Sequence, residues 1–334
     1  MELRHLYGGP LFLCGRDPDR TRRIAQKLQA KEWFLDWRLA VTHPEIQSVI
    51  LAIPAHLHCE VGEQAARAGK HVFIEKPLAT DLNECDRVIL AARRSGTVLA
   101  AGENIRFRPA IQAARRLLPA IGEPRLFFGS AFSRTRGQHD LHAGILLDFS
   151  VHHVSAVREL YGEPDRVYAS RALSAEGDEA LDNATLILSS DSGWQAALAF
   201  SWQASAGACP EFIISGSQGA LKIWPDSKSV DLYPAEPNML TRLISRIRPY
   251  WLQHALLVPE LQRRRFLLPA HDRMGYRAEL AAFLKAVKKG EPDVSSAEEA
   301  RRDLEIVMAA HASLASGIPV PCGTKERLYR PCPS

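Results

Sequence analysis

The sequence has few of the features that mark membrane, secreted or metal-binding proteins. No apolar run approaches the about 20 residues that a membrane-spanning helix needs. Residues 1–10 lack the basic and apolar regions of a signal peptide. The 6 cysteines include no C-x-x-C pair and no grouping with zinc-ligand spacing. These absences predict free thiols, no metal site and a cytoplasmic location.

The chain also has little excess of either charge. Its formal net charge is +4 over 334 residues, which mildly favours an anionic small-molecule ligand and gives no indication of nucleic-acid binding. Hydrophobic residues make up 46% and charged residues 24%, as in ordinary globular proteins. A chain of this length usually divides its core, so two domains are expected.

The first hundred residues alternate between short apolar runs and helix-like segments. The apolar runs end at Cys14, Pro54, Glu75 and near Gly102. Continuous apolar strands alternating with helices predict a parallel sheet covered on both faces. Ligands bind beyond the carboxyl ends of the strands in such sheets, so these ends are where a site is expected.

The pattern changes after about residue 103. Short strand-like segments follow, mostly joined by tight turns, which is typical of a mostly antiparallel sheet. Helices are predicted at Ile145–Tyr161, Tyr276–Lys289 and Ala297–Ser316. The predicted strands are Arg125–Thr135, Arg166–Leu173, Ala184–Ser190, Trp194–Trp202, Glu211–Gly216 and Ala220–Trp224.

One segment late in the chain is basic and amphipathic. Met239–Trp251 has apolar residues at helical spacing with arginines between them, and Arg263–Arg265 adds a further basic cluster. The favoured interpretation is a helix packed on the sheet or on a partner subunit. Contact with a membrane surface or an acidic partner is the alternative.

Glu75-Lys76-Pro77, directly after an apolar strand, is the sharpest local signal for chemistry. A lysine at the carboxyl end of a buried parallel strand lies at the ligand-binding edge of the sheet. Such a lysine can exchange a proton with a substrate hydroxyl. For the tripeptide alone, a surface Glu–Lys pair at the start of a loop is the competing interpretation.

Asp148 and His152 form the second signal. A spacing of four residues places both side chains on one face of a predicted helix. The carboxylate could orient the imidazole for general acid–base work, or both groups could hold a polyol substrate. A purely structural Asp–His pair fits the same spacing.

Gly15-Arg16-Asp17 follows the first apolar strand. In a dinucleotide-binding fold, an acidic residue at this position holds the ribose 2′-hydroxyl, whereas an arginine accommodates a 2′-phosphate. Arg16 therefore favours NADP over NAD. Asp17 points the other way, unless it serves to start the following helix.

These motifs, in this order, resemble the glucose–fructose oxidoreductase/inositol dehydrogenase (Gfo/Idh/MocA) family. The resemblance covers about residues 10–322 and rests on many ordered motifs. They include Ala52-Ile53-Pro54 before His58, the run Ala68–Ala79, the stretch Gly102–Pro109, the helix at Gly144–His152 and the turn at Ile214–Leu221.

The resemblance implies an α/β protein with two domains. Residues 1–103 would form a Rossmann-type NAD(P)-binding domain, and 104–330 an α+β domain whose open, mostly antiparallel sheet binds substrate and builds dimers or tetramers. It also implies NAD(P)-dependent oxidation or reduction of a sugar, polyol, sugar nucleotide or related carbonyl. Lys76 and His152 would handle the proton, with Asp148 beside them. The cofactor would contact Arg16, Asp17, Pro54, His58, Glu75, Lys76 and Asn104.

The sequence departs from the family in three places. No G-x-G-x-x-G turn precedes Pro10, and that turn is the main anchor of the cofactor pyrophosphate. The family usually has glycine at Ser150 and aspartate at Ser155. The alternative function is therefore a catalytically inactive binding or scaffold subunit, and a third is NAD-assisted glycoside cleavage without net redox change. Substrate choice depends on loops near Arg134, Arg136, His139 and His142.

Overall fold

The computed structural model describes residues 6–133, 144–172, 181–204, 211–224, 229–235, 263–268, 271–290 and 295–323. Within these ranges the chain forms two compact units. The first contains described residues of 6–104 and 276–305, and the second those of 105–275 and 306–323. A helix late in the chain thus belongs to the first unit, whereas the sequence prediction placed the whole of 104–330 in the second.

The first unit contains two separate parallel sheets. One pairs β1 with β2, and the other has the order β3-β4-β5. The strands are β1 (Phe12–Cys14), β2 (Glu32–Phe34), β3 (Ser48–Leu51), β4 (His71–Glu75) and β5 (Leu99–Gly102). The parallel arrangement predicted from the apolar runs is confirmed.

The edges of β1 and β3 that face away from their partners pair with no strand among the described residues. Leu11 accepts from Lys31, and the Gly15 amide donates to Phe34, so alternate residues of β1 face β2. The two sheets nevertheless share a hydrophobic cluster, because Phe12 and Val49 both pack against Phe34, Ala40 and Ile46.

Aspartates start three helices of this unit. The side chains of Asp17, Asp36 and Asp81 accept hydrogen bonds from the first-turn backbone amides of α1, α2 and α4, which satisfies donors that a helix leaves unpaired. Gly96 ends α4 in the left-handed region at φ 66°. The helices are α1 (Pro18–Leu28), α2 (Trp37–Thr42), α3 (His58–Arg67) and α4 (Leu82–Ser95).

Two later helices complete the first unit's core. Phe283 on α7 (Tyr276–Lys289) packs edge-on against Phe73 of β4, with ring centroids 5.7 Å apart, and Val98 joins them. The start of α8 (Ser295–Ser316) is tied to α4 by the ion pairs Arg301–Asp86 and Arg93–Glu298.

The second unit is built on one nine-stranded sheet with the order β13-β12-β11-β10-β6-β9-β8-β7-β14. β6 and β9 are parallel, and the other neighbouring pairs are antiparallel. The strands are β6 (Pro124–Phe132), β7 (Arg166–Arg171), β8 (Asn183–Ser189), β9 (Gln195–Ser201), β10 (Glu211–Gly216), β11 (Gly219–Ile223), β12 (Ser229–Pro234), β13 (Arg264–Leu267) and β14 (Val320–Pro321). The predicted mostly antiparallel sheet is confirmed.

One face of this sheet is covered and the other is open. Alternate residues such as Leu186, Leu198 and Ile214 are fully buried, as the two-residue period of a strand requires. The helices α5 (Pro109–Leu117) and α6 (Val151–Tyr161) belong to this unit, and the Tyr161 hydroxyl on α6 donates to main-chain carbonyls of β6 and β10. The open face carries exposed apolar side chains, which are Leu126, Phe128, Tyr168 and Ile213.

Arg264 and Arg265 of the basic cluster lie on β13, and Arg263 directly precedes this strand. Arg265 on this edge strand donates to both carboxylate oxygens of the buried Asp231 at 2.8 Å. The segment Met239–Trp251 lies outside the described residues. None of the helices in the described ranges is long and apolar enough to cross a membrane.

Candidate active site

Polar side chains gather where the strands of the three-stranded sheet end. Glu75 closes β4 and stands in register with Gly102, which closes β5. A Cβ on Gly102 would lie 3.1 Å from Glu75 Cα and 3.2 Å from Glu75 Oε2. Glycine therefore allows β5 to end close against Glu75. Pro54 and Asn104 follow β3 and β5. Residues singled out from the sequence therefore lie at three strand ends, which is the edge where ligands bind in a parallel sheet.

Lys76 lies at the point where β4 turns into a buried loop. It is half-buried, whereas Pro77, Leu78 and Ala79 directly after it are buried. The Lys76 backbone amide donates to Glu75 Oε2 at 3.3 Å. The backbone around the lysine is thus held from both sides.

His58 lies deep beside this loop. Its side chain is almost fully buried, with Nδ1 2.8 Å from Pro77 O and Nε2 2.9 Å from Ile53 O. The sequence prediction placed His58 against the cofactor, and this stays a prediction. In the structure both ring nitrogens lie within hydrogen-bond distance of main-chain carbonyls, so the ring connects the loops that follow β3 and β4. No local pattern in the sequence reveals this pair of contacts.

Asn104 offers a buried acceptor. Its residue is 3% exposed, and Oδ1 has no hydrogen-bond partner within the described part of the chain. A buried polar atom without a partner costs free energy, so a ligand that donates a hydrogen bond here would be favoured. This atom, at the carboxyl edge of a parallel sheet, fits a cofactor amide or hydroxyl.

Arg16 and Asp17 take different positions after β1. Asp17 Oδ1 accepts from the Arg20 backbone amide at 2.8 Å and caps α1. Arg16 is exposed. Gly15 precedes them with Thr21 close by, since a Cβ on Gly15 would lie 2.4 Å from Thr21 Oγ1. The helix-starting role considered for Asp17 is therefore the one observed.

Asp148 and His152 lie on one helical segment of the second unit, but it is not a single α-helix. Leu146–Ser150 forms a π-helical turn, and α6 begins at Val151. The sequence predicted an uninterrupted helix over Ile145–Tyr161, because no local signal marks a π turn. Both side chains are half-buried. Since a π turn is wider than an α turn, the shared face of Asp148 and His152 stays a prediction.

Ser150 and Ser155, the two serines at which the sequence departs from the family it resembles, both form hydrogen bonds. The buried Ser150 Oγ donates to Leu146 O at 2.6 Å, across the π turn. The buried Ser155 Oγ accepts from Arg106 Nε at 2.6 Å. The sequence singled out both serines as departures but missed that Ser155 fixes the Arg106 side chain.

His153 is a core residue, in contrast to its neighbour His152. Its ring packs between Phe200 and Phe212 and reaches the carbonyls of Phe149 and Ser130. Burial lowers the pKa of His153 to about 4. The imidazole is therefore neutral at physiological pH, and His152 is the candidate for proton chemistry.

The cysteines and the possible substrate loops complete the set of residues singled out from the sequence. Cys14, Cys59 and Cys85 are free thiols. In the portion of the chain that the structure describes, no group of three or more His, Cys, Asp or Glu side chains is arranged to hold a metal ion. The loop residues that lie outside the described ranges are Arg134, Arg136, His139 and His142.

Comparison with protein families gives two matches. Residues 11–103 match the oxidoreductase family with an NAD-binding Rossmann fold, and residues 111–222 match the GFO/IDH/MocA C-terminal domain. Both halves of the family's architecture are thus present in order.

Individual relatives agree with these matches. The chain is 25% identical to scyllo-inositol 2-dehydrogenase (NAD(+)) of Bacillus subtilis, over 95% of this chain and 90% of the relative. It is 26% identical to myo-inositol 2-dehydrogenase of Thermotoga maritima, over 89% and 86%.

Solved structures show the same fold. A levoglucosan dehydrogenase in complex with NADH and levoglucosan superposes with a TM-score of 0.79 at 19% identity, covering 96% of this chain and 94% of that one. An Agrobacterium radiobacter oxidoreductase in complex with NAD+, L-tartaric acid and magnesium gives a TM-score of 0.78 at 18% identity, with 96% and 93% covered. The chain belongs to the GFO/IDH/MocA family of oxidoreductases with an NAD-binding Rossmann fold.

Proposed function

We propose that this chain is an NAD(P)-dependent dehydrogenase that oxidises a CH–OH group, or reduces the matching carbonyl, of a sugar, polyol or sugar nucleotide. The observation that carries the proposal is the position of Lys76. It stands half-buried at the carboxyl end of β4, in the domain that matches the NAD-binding family. The inositol dehydrogenases among its relatives support a polyhydroxylated substrate.

The chemistry divides between a hydride and a proton. A bound nicotinamide supplies the hydride acceptor or donor. Lys76 takes the proton of the substrate hydroxyl during oxidation and returns it during reduction. His152 serves as the second proton-handling group, and Asp148 orients it or holds a substrate hydroxyl.

The residues for the cofactor come from successive strand ends. Asn104 Oδ1 would accept from an amide or hydroxyl of the nicotinamide half, while Pro54 and Glu75 border the same edge. Arg16 would bind on the side of the adenosine ribose. Because Asp17 caps α1, its carboxylate is less suited to a ribose hydroxyl, and NADP is favoured over NAD.

The second candidate is a binding or scaffold subunit without catalysis. The separation of β1–β2 from β3–β4–β5 among the described residues favours it, because the two sheets share no strand pairing.

Titration calorimetry with NADPH and NADH distinguishes the two candidates. For the dehydrogenase we expect micromolar NADPH binding and weaker NADH binding. Arg16→Ser should lower NADPH affinity about tenfold, equivalent to about 1.4 kcal/mol, while the control Arg22→Ser, at an exposed site on α1, leaves it unchanged. No binding of either nucleotide by a folded sample supports the scaffold subunit instead.

We also propose that the open face of the nine-stranded sheet pairs with a second copy of the chain. Phe128 and Ile213 are cross-strand neighbours on β6 and β10, and both are exposed. Contiguous exposed apolar surface of this kind marks protein–protein contacts. Light scattering should show an oligomer that Phe128→Glu dissociates, while Leu90→Glu, at an exposed site in the first unit, has no effect. A monomeric wild-type chain contradicts this.

A further inference from the structure

His58 begins α3 and lies between two loops of the first unit. Its side chain is 1% exposed. Nδ1 is 2.8 Å from Pro77 O, in the loop after β4, and Nε2 is 2.9 Å from Ile53 O, in the loop after β3. One buried ring therefore contacts the main chain at two strand ends of the same sheet.

Both partners are carbonyl oxygens, which only accept hydrogen bonds. Both distances are normal for N–H···O hydrogen bonds. A neutral imidazole donates to one carbonyl according to its tautomer, and an imidazolium donates to both. In every protonation state the ring fills the space between the loops and donates to at least one of them.

The contact at Pro77 lies one residue from Lys76. Proline fixes its own φ angle, and Pro77, Leu78 and Ala79 are all buried, so this stretch has little freedom to adjust. A displacement of the Pro77 carbonyl is therefore passed to the Lys76 backbone. On the other side, the Lys76 amide is held by Glu75 Oε2.

We propose that His58 is a positioning residue for Lys76, acting through the Pro77 carbonyl and holding the loops after β3 and β4 in register. The proposal rests on the proposed proton-transfer role of Lys76. It differs from the sequence-based expectation for His58, because the ring touches protein main chain through both nitrogens. A misplacement of about 1 Å at a reacting group reduces the rate on the order of a hundredfold.

The first test reads the surroundings of Lys76 without requiring turnover. Lysines of the full chain are dimethylated with ¹³C-formaldehyde, and the Lys76 signal is assigned by its loss in Lys76→Arg. In His58→Phe, which keeps a ring but removes both nitrogens, we expect the chemical shift and pH titration of the Lys76 signal to change. The control His56→Phe, at an exposed position two residues earlier, should leave the signal unchanged.

The second test reads catalysis with NADPH and a panel of sugar and polyol carbonyls. His58→Phe should lower kcat ten- to a hundredfold and move the limb of the pH–rate profile that disappears in Lys76→Arg. His58→Gln, whose amide can still donate to one carbonyl, should recover part of kcat. Cooperative thermal unfolding of each variant confirms that it is folded.

The outcomes separate the two proposals. The positioning role is overturned if His58→Phe is folded and its Lys76 signal is unchanged. It is also overturned if the Lys76 signal moves equally in His56→Phe. Both results apply whether or not the chain is active. If His58→Phe is unfolded, His58→Gln decides by the same signal. A wild-type activity that Lys76→Arg retains in full overturns the proposed function instead.

Discussion

The two units differ in how their strands pair. In the second unit, nine strands form one continuous sheet, and most of them pair antiparallel with the next strand in sequence. In the first unit, successive strands also pair, but every pair is parallel, which requires a crossover connection, and the five described strands divide into sheets of two and three. The first unit's core also includes the helix α7, which packs against β4.

The proposed catalytic residue Lys76 lies at a strand end of the first unit, whereas the continuous sheet lies in the second unit. In the first unit, Lys76 and Asn104 lie just beyond the carboxyl ends of β4 and β5, where the backbone is no longer part of the sheet. The contribution of this edge is tested most directly by Lys76→Met, which should lower kcat on the order of a thousandfold without lowering the unfolding temperature. Steady-state rates and circular dichroism melts measure both. Lys27→Met, at an exposed site on α1, serves as the control, and an equal loss there contradicts the prediction.

Separate cores predict separate responses to core truncation. Phe283→Ala removes the α7 ring that packs on Phe73 and should destabilise the first unit by about 3–5 kcal/mol. Phe212→Ala should do the same to the second unit, where Phe212 contacts Phe127 and His153. Hydrogen exchange resolved by segment reports which unit opens in each variant. If both variants loosen both units equally, the two units unfold as one.

Burial of His153 should make the second unit sensitive to acid. The folded pKa of His153 is about 4, below its ordinary value near 6.5, because burial disfavours the charged ring. Between these pH values, His153 is protonated in the unfolded chain and neutral in the folded chain. The free energy of unfolding therefore falls as pH drops from about 6.5 to about 4. The effect is at most about 3 kcal/mol. Urea unfolding at several pH values should show a smaller loss of stability in His153→Leu than in the wild type, since burial also lowers the pKa of His71 and His311 in both, while His56→Leu behaves like the wild type.

The smallest expected effect concerns the edges of β1 and β3 that pair with no strand among the described residues. Along β1 and β3, alternate backbone groups face the partner strand and the others face away. Amide exchange measured by NMR should be fastest at the outward-facing residues and slower at their neighbours. Uniform protection along both strands would show that another segment pairs with these edges. The outward-facing residues are Phe12, Cys14, Ser48 and Ile50, and the inward-facing ones are Leu13, Val49 and Leu51.

The sequence predicted those parts of the fold that have a local signal. The longer apolar runs predicted β3, β4 and β5, and strand-like segments joined by a tight turn predicted β8 and β9. It missed β2 and α2, because a strand of three residues and a helix of six show no clear period. It missed β12, since the buried carboxylate of its central Asp231 is paired with arginines of 263–265, which lie far along the chain.

The candidate site divides in the same way. Lys76, Asp148 and His152 were identified from residue type and spacing. The contacts of His58 and the link between Arg106 and Ser155 depend on residues brought together by folding. Asp17 lies between these two cases. Its capping role follows from a known local preference, but the sequence also allowed a ligand-binding role, and the geometry was needed to show the cap.

The π turn at Leu146–Ser150 also bears on how this helix tolerates changes in length. A π turn accommodates one residue more than an α turn, so deleting a single residue within it would leave an unbroken α-helix. Each residue of an α-helix advances the side-chain direction by about 100°. Because the π turn absorbs the extra residue, a one-residue deletion within it would leave the segments on either side close to their present directions, whereas the same deletion within α6 would rotate one side relative to the other by about that angle. The π turn is therefore the place in this segment where the chain can lose one residue with the least rotation of its flanks.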